Sequence, residues 1–395
     1  MGSRLCGCFK YKRKTDKVTL GTKESPSGKP AVLSKAADVV ITTQDLSESC
    51  STSSSLDLPK HMKALCVVSK HTYSISKDIP YPSIKSPDEI IIKTRAVGLN
   101  PIDWKSVDYN FCMPSFPWIG GRELVGVVAQ VGANVKGFKV ADRVWASTYY
   151  RDRRAGTFQE YVVCPQHTVL MLPSCLSFEE GASLGVAALT AAMTLWKWLD
   201  VPMPSRDVTS RIPPEYILIW GGSAITGQFA TQLAVQSNLC VIAVTSAKTK
   251  ALAERLGAGH VIVRDGKSND DIVAEVLAIV GDDLTLAIDL VGDQTGASCV
   301  KALSTSKPAV LAPVAFLKTG ERIPSNVRVV DVEMKRFVVE KGNQKYGEML
   351  NKLISAGKVA IPEIQVLDGG LEMIEEGLAM QKRGDLGGRK LVVRM

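Results

Sequence analysis

The stretch that most restricts how this chain can fold is Tyr216–Gly227, YILIWGGSAITG. An apolar strand runs straight into Gly221-Gly222, and helix-forming sequence begins near Gly227. A backbone that turns this tightly, and that lets a pyrophosphate approach without a Cβ in the way, needs glycine. The helix start then presents unpaired N–H groups and a positive dipole end to phosphate. The spacing Gly221-x-x-Ala224-x-x-Gly227 is a variant of G-x-G-x-x-G with alanine in the middle. It makes Gly221, Gly222, Ser223, Ala224, Ile225, Thr226 and Gly227 candidate coenzyme contacts.

The sequence around this turn alternates strand and helix. Tyr216–Trp220, Val241–Thr245, His260–Val263, Thr285–Val291 and Ala309–Ala312 read as strands. Gly227–Gln236, Lys248–Leu256, Asp270–Val280 and Thr295–Leu303 read as the helices between them. Alternation at this spacing predicts an α/β fold with a doubly wound parallel sheet. Before it, from Met62 to about Pro173, short apolar strands such as Glu89–Thr94, Val125–Val131 and Phe158–Val163 predict a compact, partly barrel-like β domain. After it come two helices, Tyr346–Ala356 and Leu371–Arg383, and a last strand, Lys390–Arg394. The loop Asp200–Pro214 holds four prolines and reads as a surface insertion. The expected division is a tail over 1–61, a catalytic β domain over 62–183, the dinucleotide domain over 184–325, and a return to the catalytic domain over 326–395.

Charge is informative by its location. The net charge is +8, yet Arg4, Lys10, Lys12, Arg13 and Lys14 put +5 within the first fourteen residues. A basic folded surface with interleaved aromatics, the mark of a nucleic-acid binder, is not seen. Nine cysteines without CxxC pairs, and only four histidines, fit neither a disulfide framework nor a Cys/His metal site. No apolar run reaches the length of a spanning helix, and the basic start lacks the apolar core of a secretory signal. A cytoplasmic location is expected.

The second strand argues for the choice of coenzyme. NAD sites usually end that strand with Asp or Glu, which accepts from the ribose hydroxyls. Here it ends Val244-Thr245-Ser246-Ala247-Lys248 with no carboxylate, and Arg264 follows the third strand. Ser246, Lys248 and Arg264 suit a 2′-phosphate, which points to NADPH; Lys248 and Arg264 as plain solvated surface charges are the alternative.

From Met62 to Met395 the chain resembles the zinc-less medium-chain dehydrogenase/reductases, most of all fungal quinone reductases and trans-acting enoyl reductases. The matching stretches are Gly98–Lys105 (GLNPIDWK), Gly121–Gly126 (GRELVG), Gly185–Ala191 (GVAALTA), the glycine turn, Leu256–Ala258, Asp289–Gly292 (DLVG) and Gly387–Val393 (GGRKLVV). The resemblance implies a Rossmann-type parallel sheet joined to a GroES-like β-barrel catalytic domain. By motif position, the catalytic zinc ligands of the family's metal-dependent members fall at Asn100, Arg122 and Val186, none of them a normal zinc ligand. A zinc-free enzyme loses several kcal/mol of carbonyl polarisation, so hydride transfer to an activated C=C, or to a quinone, is the easier chemistry.

The resemblance also places Asn100, Asp103 and Lys105 on the loop bordering the cleft, with Asn100 or Lys105 as donors to an enolate oxygen. Asp103 and Lys105 pairing with each other or with solvent is the structural alternative. Thr190, read as opening the helix that joins the domains, is expected to contact the cofactor, with a helix-terminal hydroxyl as the alternative role. Val291 and Gly292, at the end of the fourth strand, are expected against the nicotinamide. Tyr149, Tyr150 and Tyr161 are weighed as proton donors against plain packing roles. The expected activity is NADPH-dependent reduction of α,β-unsaturated carbonyls, polyketide-like intermediates among them. A quinone or aldehyde reductase is the alternative, and a catalytically silent NADPH-binding sensor is the alternative of another class. The substrate is a small molecule, and monomer and homodimer are both compatible with the sequence.

Residues 1–8, MGSRLCGC, resemble an N-myristoylation site at Gly2 followed by palmitoylation candidates Cys6 and Cys8. Cys6 stands where Ser or Thr is usual. Two acyl chains plus the basic cluster Lys10–Lys14 would anchor the chain at a membrane, whereas one chain binds marginally. An unmodified, disordered extension, or a gene model that starts too early, is the alternative.

Overall fold

The computed structural model describes residues 58–149, 151–205, 215–384 and 386–395. The lipidation candidates Gly2, Cys6 and Cys8, Tyr150 and most of the proline-rich loop lie outside the described residues.

Glu89–Gly98 organises the first half. Ile90, Ile91 and Ile92 are all fully buried, so this strand is covered on both faces and reads as a continuous apolar run rather than an alternating one. It pairs antiparallel with Glu123–Val131 along one edge. Along the other edge it pairs first with Tyr161–Pro165 and then with Lys390–Arg394. Arg143–Ser147 and Val169–Met171 extend the sheet, and Ile364–Leu367 lies parallel to Lys390–Arg394. A hairpin, His61–Ser69 with Thr72–Pro80, forms a smaller sheet with Trp118–Ile119. The chain's last strand is therefore built into the domain where its first strands lie.

The second half is a six-stranded parallel sheet: β1 Glu215–Trp220, β2 Leu239–Thr245, β3 His260–Val263, β4 Leu284–Asp289, β5 Ala309–Pro313 and β6 Val327–Val329. Its order is β3-β2-β1-β4-β5-β6. The order reverses between β1 and β4, and the crevice at the carboxyl ends of those strands is where such sheets take their ligands. Helices α1 Ile225–Gln236, α2 Lys250–Arg255, α3 Asn269–Val280 and α4 Asp293–Ala302 make the crossovers. In α3, Ser268 and Asp271 form a reciprocal capping box, and Ile272, Val273, Val276 and Val280 bury one stripe.

Two expectations need correction. Val327–Val329 pairs with β5, so the parallel sheet runs past residue 325 before the chain returns. Three residues are too short to declare a strand by periodicity. The fourth strand stops at Asp289 rather than Val291, because the Asp289 side chain turns the backbone there.

A helical run, Leu184–Trp198, lies between the halves, with wider π turns on both sides of Leu189–Met193. Leu189 and Met193 share one buried cluster with Trp145 and Leu170 of the β half and Ile219 and Phe229 of the parallel half. Thr190, expected to open a helix, sits inside this run and is 5% exposed.

Candidate active site and coenzyme cradle

The glycine turn is shaped by close approach. Gly221 has φ +95°, in the region that side chains avoid. A Cβ there would stand 3.1 Å from Val291 Cγ2, and one at Gly222 would stand 2.9 Å from the Ala243 Cβ. At Gly227 it would come within 2.3 Å of the Gly221 carbonyl oxygen. The turn thus rests on β2, and α1 rests on the turn. Ala224 is an extended N-cap that offers no side-chain acceptor to the helix start. The first-turn N–H groups of Ile225, Thr226 and Gly227 have no acceptor within α1, an arrangement that suits an anion. Ser223, Ile225 and Thr226 are half-buried and Ala224 is exposed. Gln228 Nε2 donates to the carbonyls of Ser223 (3.0 Å) and Gly388 (2.7 Å), tying the turn to the loop before the last strand. Sequence reasoning missed this tie, since a glutamine in a helix carries no such signal.

The turn meets the end of β2 through Gly221 and Gly222, whose N–H groups both donate to the Val244 carbonyl. Arg264 N–H donates to the Thr245 carbonyl at 2.9 Å, so Arg264 and Ser246 follow directly from adjacent strand ends. Lys248 and Arg264 are both exposed. One carboxylate does reach this corner. Asp265 Oδ2 accepts from Ala247 N at 2.6 Å, although β2 itself carries none. The parallel register pairs Thr245 with Val263, which brings the residues after β3 alongside those after β2. Asp265 spends this oxygen on fixing the loop that carries Ser246 and Lys248.

At the end of β4, Asp289 is fully buried. Its Oδ1 accepts from Thr295 Oγ1 (2.7 Å) and Val291 N, and its Oδ2 accepts from Gly292 N. Burial pushes its carboxyl up to about 6 despite these bonds. The Asp289 carbonyl also accepts from Val314 N and Ala315 N. This residue therefore sets the backbone of Val291 and Gly292, and Val291 is left 58% exposed beside the glycine turn. The motif holding Asp289 was legible in the sequence, but its bracing role was not.

The loop after Glu89–Gly98 departs from expectation. Asn100 is 3% exposed and its amide is fully engaged: Nδ2 donates to Glu123 Oε1 (2.8 Å) and the Gly98 carbonyl, and Oδ1 accepts from Lys390 Nζ (2.8 Å). It has no hydrogen left for an enolate. Glu123 Oε2 accepts from Val186 N at 2.6 Å. The three positions expected to correspond to zinc ligands thus hold an amide already bonded, an arginine and a valine whose N–H is taken. Among the described residues, no group of three or more His, Cys, Asp or Glu gathers closely enough to hold a metal ion.

Asp103 and Lys105 do not pair. Asp103 Oδ2 accepts from Asn100 N (2.8 Å), starting the helix Pro101–Asp108. Lys105 Nζ lies 5.7 Å from the Trp104 ring, and burial lowers its pKa. Arg122 Nη2 donates to Ser106 Oγ at 3.0 Å. Tyr161 packs edge-on against Tyr81 with ring centroids 4.9 Å apart, and Tyr149 packs against the interdomain cluster.

Residues 86–174 match the family model of the alcohol dehydrogenase GroES-like domain. The trans-enoyl reductase himH of Aspergillus japonicus is 32% identical over 315 residues, spanning 78% of this chain and 90% of that protein. A putative zinc-dependent alcohol dehydrogenase protein from Rhizobium etli superposes with a TM-score of 0.71 at 22% identity, covering 85% of this chain and 98% of that one. An Escherichia coli quinone oxidoreductase complexed with NADPH superposes with a TM-score of 0.66 at 18% identity, covering 85% and 99%. At these identities the two structures establish the shared fold and leave the chemistry to the residues.

Proposed function

The chain belongs to the medium-chain dehydrogenase/reductase superfamily, among its fungal trans-enoyl reductase-like members, and from that premise we propose that it reduces an activated C=C with NADPH and without zinc. It is an enzyme of the enoyl/quinone reductase type. The observation that carries the fuller reading is the cradle at Gly221, Gly222 and Gly227, where a Cβ at any of the three would close the space against neighbouring atoms.

The residues fit a dinucleotide. The first-turn N–H groups of α1 would hold the pyrophosphate. Ser246, Lys248 and Arg264 would hold the 2′-phosphate, and Thr190, Val291 and Gly292 would border the nicotinamide. The NADPH carried by the E. coli structural neighbour supports this choice. When bound, NADPH supplies hydride to the substrate's β-carbon. Lys105, which meets no carboxylate among the described residues, is suited to hydrogen-bond the carbonyl oxygen as negative charge grows there. The buried Glu123–Lys390 pair holds Leu99 and Asn100, from which the helix carrying Lys105 starts. An amide, a guanidinium and a valine at the ligand positions favour chemistry without a metal.

The test is NADPH consumption by the purified chain with enones, enoyl thioesters, quinones and aldehydes. Enones or enoyl thioesters are expected to turn over fastest, and preference for quinones would move the assignment to quinone reduction. Lack of affinity for NADPH and NADH alike defeats the reading. Stoichiometric zinc in the active enzyme defeats the metal-free part.

For the tail, we propose acylation at Gly2 and at Cys6 or Cys8, supported by the adjacent cluster Lys10–Lys14. No helix among the described residues is long and apolar enough to cross a membrane. Mass spectrometry of the N-terminus from the native cell tests this, and an unmodified Gly2 refutes it.

A further inference from the structure

A small cavity of ≈ 20 Å³ is walled by Tyr73, Asp103, Ser106, Cys112, Arg122 and Phe158, among others. That is room for about one water, which needs roughly 10–15 Å³. Among the described residues, one buried side-chain oxygen in its wall, Asp103 Oδ1, is unmatched. Asp103 is 5% exposed and its Oδ2 is committed to Asn100 N, but no protein donor among the described residues reaches Oδ1. A buried carboxylate oxygen without a partner costs on the order of 1–3 kcal/mol. Such atoms are ordinarily met by ordered water, and Arg122 in the same wall supplies the second polar partner that a buried water requires.

We propose that this cavity holds a water between Asp103 Oδ1 and the Arg122 guanidinium, and that Asp103, through this water, is the source of the proton that completes C=C reduction. The proposal rests on the reductase reading above and adds to it the proton source. Hydride adds to the β-carbon, and the C=C electron pair moves through the α-carbon onto the carbonyl oxygen to give an enolate. The α-carbon then takes a proton from the water as the water takes one from the Asp103 carboxyl. Asp103 is left as a carboxylate beside Arg122 and is reprotonated from solvent.

The charges around Asp103 suit a group that gives up and regains a proton near neutrality. Burial raises its pKa to about 6. Arg122 and Lys390 pull it down, and Glu123 pushes it up. Tyr73, from the first hairpin, faces it as a phenol that burial keeps neutral. The helix Pro101–Asp108 carries both Asp103 and Lys105, so proton source and carbonyl donor are fixed on one short element.

Turnover of an enone by the full-length wild type, measured first, tests the functional reading separately. The product is then made in D₂O. Wild type is expected to place deuterium on one face of the α-carbon, and Asp103→Asn to give both faces with kcat down about a hundredfold. Wild-type kcat should fall as pH rises through about 6, where the Asp103 carboxyl loses its proton. Arg122→Met should move that fall to higher pH, since the cation favouring the carboxylate is gone. Facial selectivity kept by Asp103→Asn overturns the proposal. So does an unmoved pH profile in Arg122→Met, which decides the matter if the Asp103 variant does not fold. A crystal structure with no water within hydrogen-bond distance of Asp103 Oδ1 overturns it as well.

Discussion

Lys390 Nζ lies 2.5 Å from Glu123 Oε1, and the two side chains are 2% and 0% exposed. Lys390 belongs to the last strand of the chain and Glu123 to a strand 267 residues earlier. Between them the pair satisfies Asn100 Oδ1 and Nδ2, the Leu99 carbonyl and Val186 N. The Leu99–Asn100 turn and the interdomain helix are both fastened to this one ion pair.

Removing one partner of such a pair leaves the other charged and buried. Lys390→Met is therefore expected to destabilise the protein by about 3–5 kcal/mol, and the neutral double variant Glu123→Gln/Lys390→Met by less. Urea unfolding midpoints measure both. Equal midpoints for wild type and Lys390→Met would show that the pair does not brace the loop.

Gly227→Ala puts a Cβ where the Gly221 carbonyl oxygen stands 2.3 Å away. Helix α1 must move off the turn, misaligning the N–H groups offered to phosphate. NADPH affinity, read by fluorescence titration, is expected to weaken tenfold or more, about 1.4 kcal/mol or beyond. Unchanged affinity would mean that the turn is not the phosphate site.

The coenzyme preference is expected to reside in two exposed cations. Lys248→Ala and Arg264→Ala should each weaken NADPH binding by about tenfold and leave NADH binding nearly unchanged, because only the 2′-phosphate distinguishes them. Parallel losses for both coenzymes would assign the cations to another part of the dinucleotide.

Lys105→Met removes the donor proposed for the substrate carbonyl. A fall in kcat of about 10²–10³-fold is expected, with NADPH affinity kept. Full activity in this variant would leave Lys105 a packing partner of Trp104.

Asp289 gives a stability signature in pH. Its folded-state pKa is raised from 3.8 to about 6. The folded protein therefore holds this proton more tightly than the unfolded chain does. The resulting stabilisation is complete below about pH 4 and is lost as pH rises to about 6. Asp289→Asn should flatten that slope in thermal unfolding measured across this range, and a wild-type slope retained by the variant would discount Asp289.

Much of the parallel sheet was legible because its evidence is local. The strand before Gly221 and the helix read over Asp270–Val280 each declare themselves within a dozen residues. The glycines of the turn were legible too, since backbone that must pass close to other backbone admits little else. Val327–Val329 escaped notice because three residues carry no period, and it is a strand only by pairing with β5.

The site divided along the same line. Residue types at Asn100, Arg122 and Val186 were enough to argue about metal chemistry, whereas Asp103 and Lys105, expected on a loop, sit in the helix Pro101–Asp108. Which of them is buried, paired or left unmatched depended on contacts with Glu123, Val186 and Lys390, tens to hundreds of residues away. A lysine near a terminus reads as a solvated charge, and only the pairing of its strand with Glu89–Gly98 draws Lys390 into the interior. Periodicity and glycine spacing are properties of neighbours along the chain. Burial and charge pairing are properties of neighbours in space, so the folded structure alone assigned them.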